Sequence, residues 1–79
     1  MGLSDADIER TILALLHQRD EGKTICPSEA ARTLADDWRP LMDDVRRVAD
    51  GMDAVEITQK GRAVDLDAAR GPIRLRLKP

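Results

Sequence analysis

The sequence predicts an α+β fold of the winged-helix type, a helix-turn-helix core of three helices followed by a small antiparallel β-wing, on three observations. Apolar residues recur at helical spacing in three stretches between residues 4 and 52. After Gly51 the period falls to two, ending in Ile73-Arg74-Leu75-Arg76-Leu77-Lys78, where apolar and basic residues alternate without exception. At 79 residues the chain holds one core, burying about 60% of the surface its unfolded form exposes, so residues 1–79 read as a single winged-helix domain.

The elements follow in order. Ser4 and Asp7 stand as a capping box at the start of the first helix, flanked by Leu3 and Ile8 as a hydrophobic staple. Ile8, Ile12, Leu15 and Leu16 form its apolar stripe, which should end near Arg19, before Asp20-Glu21-Gly22. Thr24-Ile25-Cys26 suits a short edge strand. Pro27 at the first helical position and Glu29 in the first turn open a second helix through Ala30, Ala31, Leu34 and Ala35, whose small residues allow close approach of the third. The third helix is expected to be capped by Asp36 or Asp37, to carry Pro40 in its first turn and to stop at Gly51. Leu41, Met42, Val45, Val48, Ala49 and Met52 fall within an arc of about 120° at 100° per residue, the width of a core-facing stripe. Val55 and Ile57 mark a half-buried strand, Lys60-Gly61 a turn, and Ala63-Val64 a brief return strand. Asp65 to Arg70 allow one helical turn capped by Asp65 and stopped by Gly71-Pro72. In the last strand a slip of one residue would bury three cations, which fixes its register.

Composition excludes several classes of function. With Trp38 the sole aromatic residue, the core must be aliphatic. Cys26 alone makes no internal disulfide, and one histidine, His17, leaves too few soft ligands for a structural zinc site; a reducing cytoplasm is the expected location. The longest apolar run, Ile12 to Leu16, is far shorter than the roughly 20 residues of a bilayer span, so no membrane anchor or export signal is expected. Asp36-Asp37 and Asp43-Asp44 are sequence neighbours that diverge on a helix and form no general acid/base pair. No catalytic constellation, metal or cofactor site is expected, and the protein does not read as an enzyme. Net charge is −2, but residues 1 to 53 carry −5 and residues 54 to 79 carry +3, so the strand region is the basic side of an acidic molecule.

Four strings, Thr24-Ile25-Cys26-Pro27-Ser28-Glu29, Asp36-Asp37-Trp38-Arg39-Pro40-Leu41-Met42, Ile57-Thr58-Gln59-Lys60-Gly61-Arg62 and Arg70-Gly71-Pro72-Ile73-Arg74-Leu75, together resemble the bacterial domain-of-unknown-function 3253 family. The resemblance covers almost the whole chain. It implies a winged-helix-like fold, with no established activity and no catalytic residues to carry over. Some members are joined to a cysteine-rich, zinc-ribbon-like segment; this chain has none, so nothing about zinc transfers.

In winged helices that bind DNA, the third helix enters the major groove and the wing touches phosphate. Candidate nucleic-acid contacts here are Lys60 and Arg62 at the hairpin tip, Arg74 and Arg76 on the last strand, and Arg46 and Arg47 on the third helix, with double-stranded DNA as partner. The outward arc of the third helix nevertheless carries Arg39, Asp43, Arg46, Arg47, Asp50 and, at its edge, Asp44. Arg39–Asp43, Asp43–Arg47 and Arg46–Asp50 have the i,i+4 spacing of self-neutralising pairs. No Asn, Gln, Ser or Thr lies between residues 36 and 53 to read base edges. The alternative for the basic last strand is protection of a sheet edge against pairing. Trp38 and Arg39 are candidates for a protein partner or a homodimer contact, against the plain role of a tryptophan closing the core at a helix junction. Cys26, at a helix start, is either a thiol with depressed pKa or a small capping residue. His17 reads as a rim residue.

Overall fold

A computed structural model describes residues 3–20 and 22–79, so the expected Asp20-Glu21-Gly22 boundary lies partly outside the described residues. Helix α1 (Asp5–His17) starts where the capping box places it: Ser4 Oγ accepts from the Asp7 amide at 3.1 Å, and the Asp7 carboxylate accepts from the Ser4 amide at 3.1 Å. Leu3 is not a closed staple; it remains 42% exposed while Ile8 is buried. The helix ends two residues before Arg19, with Gln18 as its C-cap. Strand β1 covers Thr24–Ile25 and stops short of Cys26 because Cys26 is the N-cap of α2 (Pro27–Leu34).

The start of the third helix differs from expectation. Neither Asp36 nor Asp37 caps it; Trp38 precedes a 3-10 turn (Arg39–Leu41) that leads into α3 (Met42–Asp50). Pro40 accounts for this, since its ring supplies no N–H and fits a tight first turn, whose closure is the Leu41 amide donating to the Trp38 carbonyl at 2.9 Å.

Strands β2 (Val55–Gln59), β3 (Arg62–Ala63) and β4 (Arg74–Leu77) complete an antiparallel sheet of order β1-β4-β2-β3. β4 is therefore interior: Leu75 faces Ile25 on one side and Ile57 on the other. The edge-protection reading of Arg74, Arg76 and Lys78 is corrected by this placement, because β4, which bears the two arginines and ends one residue before Lys78, is hydrogen-bonded on both flanks. Between β3 and β4 a 3-10 turn (Leu66–Ala68) follows Asp65, which supplies no side-chain cap.

The three helices and the inner sheet face enclose one aliphatic core. Ile8, Ile12 and Leu16 of α1, Ala30 and Ala31 of α2, and Val45, Val48 and Ala49 of α3 meet Ile25, Val55, Ile57, Ile73 and Leu75. Leu41, Met42 and Trp38 are half-buried at its margin. This is the expected α+β arrangement, three helices and then a sheet, compatible with a winged helix. Among the described residues no helix is long and apolar enough to cross a membrane.

Candidate nucleic-acid interface

The wing tip is built by a two-residue turn. Gln59 pairs with Arg62 across the ladder, leaving Lys60 and Gly61 as the loop, with φ of 52° and 80°. Positive φ at both central positions matches the I′ turn, whose twist suits a hairpin; glycine adopts this freely, and Lys60 adopts it under mild strain. The hairpin is held at its base. Gln59 Nε2 donates to the carbonyls of Arg70 at 2.6 Å and Pro72 at 3.0 Å, and the Val64 amide donates to Ile57 at 2.8 Å. Lys60 and Arg62 are exposed and have no carboxylate within ion-pair distance among the described residues.

The basic row on β4 is less uniform than its sequence. Arg76 donates through Nε and one terminal nitrogen to Glu56 Oε1, at 2.8 and 2.6 Å, and through the other to the Gly61 carbonyl at 3.3 Å. Its charge is neutralised, and it ties the wing tip down onto the sheet. Arg74 is exposed and anchored without neutralisation: Nε donates to the Thr24 hydroxyl at 3.0 Å and a terminal nitrogen to the Thr24 carbonyl at 3.4 Å. Lys78 is exposed.

On α3 the expected i,i+4 pairs do not form among the described residues. Arg47 instead reaches α1, donating to both carboxylate oxygens of Asp5 at 3.0 and 2.9 Å, and to Asp44 at 3.4 Å. The long arginine side chain finds a planar two-point partner on a neighbouring helix, a better geometry than a same-helix contact. These bonds hold the Asp5 carboxyl below its ordinary value and raise Arg47. Hydrogen bonds from Ser4, aided by nearby Arg10, lower Asp7 likewise. Depressed carboxylate pKa values contribute stability that is complete above the unfolded value near 4 and disappears as pH falls through the lower folded values. The stability of the wild type should therefore decline as pH falls below about 4, and Asp5→Asn should be slightly less stable at neutral pH with a weaker dependence on acid pH, read by urea unfolding followed by circular dichroism. Arg46 is half-buried, with its Nε enclosed and unpartnered among the described residues.

Trp38 carries two cations: the guanidinium carbons of Arg32 and Arg39 lie 4.6 and 4.8 Å from its ring centroid. Arg32 and Glu56 carried no mark of these roles in the sequence. Glu56 is identifiable only once the register places it opposite Arg76, and Arg32 only once the α2–α3 turn brings it over Trp38.

Elsewhere the candidate chemistry is plain. Cys26 is half-buried, its Sγ accepts from the Ser28 hydroxyl at 3.2 Å, and its amide donates to Glu29 at 2.7 Å. His17 is exposed on the rim of a groove of about 530 Å³ beside Lys23 and Lys78. Among the described residues no group of His, Cys, Asp and Glu could hold a metal ion.

The model for a family of proteins of unknown function, DUF3253, matches residues 5–78. The chain belongs to the DUF3253 family. The match includes every element from α1 to β4, so the wing, the β4 arginines and the Trp38 stack all lie inside the DUF3253 region. No curated protein matches the chain significantly.

Proposed function

We propose that this DUF3253 protein is a small non-enzymatic adaptor that contacts the phosphate backbone of double-stranded nucleic acid, weakly and without sequence preference, through its wing. The observation that carries the reading is the division of the cations. Lys60 and Arg62 stand exposed without carboxylate partners on an anchored hairpin, with Arg74 exposed on the sheet, whereas Arg47 and Arg76 are already neutralised. Phosphate contact needs accessible, unpaired cations and no base-edge geometry. The α3 surface, with Asp43, Asp44 and Asp50 exposed and Arg47 already paired, supplies no attraction for a major groove. Lys60, Arg62 and Arg74 are the proposed contacts, Arg47 and Arg76 serve ion pairs within the fold, and the half-buried Arg46 is given no role.

The test is fluorescence anisotropy of a labelled random duplex at several salt concentrations. Each phosphate contact contributes about −0.9 to the slope of log affinity against log salt. Lys60→Glu with Arg62→Glu should therefore flatten the slope by about 1.8 and abolish measurable binding at 0.2 M salt, with unchanged circular dichroism. Duplex binding that is indifferent to both substitutions would remove the wing from the interface. Absence of duplex binding at low salt would favour the second reading, a protein-interaction module or homodimer. That reading is supported by the Trp38–Arg39 contact, since tryptophan and arginine are the residues most often found at the energetic centre of protein interfaces.

A further inference from the structure

The α2–α3 turn brings together a group that the wing does not use. Arg32 reaches it from the last turn of α2 and Arg39 from the 3-10 turn that opens the third helix, and both guanidiniums lie over the indole of Trp38. Two like charges sharing one aromatic ring repel each other, and the ring quadrupole offsets only part of that repulsion. Neither arginine has a carboxylate within ion-pair distance among the described residues, including the sequence neighbours Asp36 and Asp37. Both side chains are exposed, while Trp38 is half-buried and fixed against the core margin.

A guanidinium resting on an aromatic ring has one apolar face covered and its N–H donors left free around the edge. It also loses much of the rotamer freedom that an isolated surface arginine would give up on binding. Two such groups on one rigid ring form a preorganised pair of forks, and forks of this kind match an oxyanion carrying several acceptor oxygens. From these observations, and resting on the nucleic-acid reading above, we infer that Arg32 and Arg39, positioned by Trp38, form a second site for backbone phosphate of duplex nucleic acid, apart from the wing.

The chain carries its own reporter, because Trp38 is its sole tryptophan and there is no tyrosine. Trp38 emission is titrated with an unlabelled random duplex, with inorganic phosphate against sodium chloride at matched ionic strength, and with polyglutamate. Anisotropy is measured in parallel on wild type, Arg32→Gln with Arg39→Gln, and Arg32→Lys with Arg39→Lys. The expected result is a saturable emission change with duplex, a weaker one with phosphate, and no change with chloride. The Gln pair should lose the emission change and flatten the salt slope by about 1.8 relative to wild type. The Lys pair should keep the slope and bind several-fold more weakly, since charge remains while the planar forks are gone. Circular dichroism checks that both variants remain folded.

Duplex binding with unperturbed Trp38 emission and an unchanged slope in the Gln pair would overturn this site and leave the wing reading intact. Failure of wild type to bind duplex at low salt would overturn both. An emission change with polyglutamate but none with duplex would overturn the phosphate assignment in favour of an acidic protein segment.

Discussion

Leu75→Ala is expected to lower the unfolding free energy by about 3 kcal/mol, and to shift the thermal midpoint down by about 12 to 24 °C. Leu75 is fully buried on the interior strand, opposite Ile25 of β1 and Ile57 of β2, so its side chain lies under the centre of the sheet. Truncation removes its transfer energy and leaves a cavity that strands hydrogen-bonded on both flanks cannot collapse. A domain of this length has a stability of about 4 to 12 kcal/mol, so the loss is a large fraction of the whole. Urea unfolding of the variant, followed by circular dichroism, checks it through the midpoint. The equivalent truncation of the exposed Leu3 should cost well under 1 kcal/mol, about the range of ordinary surface substitutions. Similar losses at the two positions would mean that β4 does not occupy the centre of the sheet.

The interior position of β4 also shows where the sequence ceased to be informative. Alternation at Ile73, Leu75 and Leu77 identified the strand and its buried face, because side-chain direction depends only on residue parity. It could not say which strands flank β4. That depends on the two-residue strand at Thr24–Ile25 returning to pair with it across 50 residues, a long-range choice made by packing. The capping box at Ser4, the Lys60-Gly61 turn and the α3 core stripe were legible because each is local or periodic.

The candidate site was legible only in part. Charge counting found the basic strand region, and parity placed Arg74 and Arg76 on its outer face. Whether a cation is available to a ligand is decided by its neighbours in space. Arg76 meets Glu56 across the ladder and Arg47 meets Asp5 from another helix, while Arg74 finds a hydroxyl and keeps its charge. The i,i+4 rule, applied to α3 alone, selected the wrong partners because it describes an isolated helix. In the folded molecule α1 lies beside α3 and offers Arg47 a bidentate carboxylate.

Glu56→Gln separates stability from binding by moving them in opposite directions. The Glu56 and Arg76 side chains are only 17% and 25% exposed, so removing the carboxylate leaves a cation in a poorly solvated position. Hydrogen bonds to charged groups contribute about 1.5 to 3 kcal/mol, and after discounting for the residual exposure the expected destabilisation is about 2 kcal/mol. Gln retains the shape and an acceptor oxygen, so the hairpin should persist, with Arg76 still donating to the Gly61 carbonyl. The same change raises the charge of the outer sheet face by one and returns Arg76 to the pool of unpaired cations beside Arg74 and the wing tip. Under the nucleic-acid reading the variant should bind a random duplex several-fold more tightly at low salt, with a slope steeper by about 0.9. A less stable protein that binds more tightly cannot be explained by partial unfolding of the interface, which would weaken both together. Weaker duplex binding by a folded variant would show instead that the Glu56–Arg76 pair sets the angle of the wing, and that this angle governs contact more than the number of free cations does.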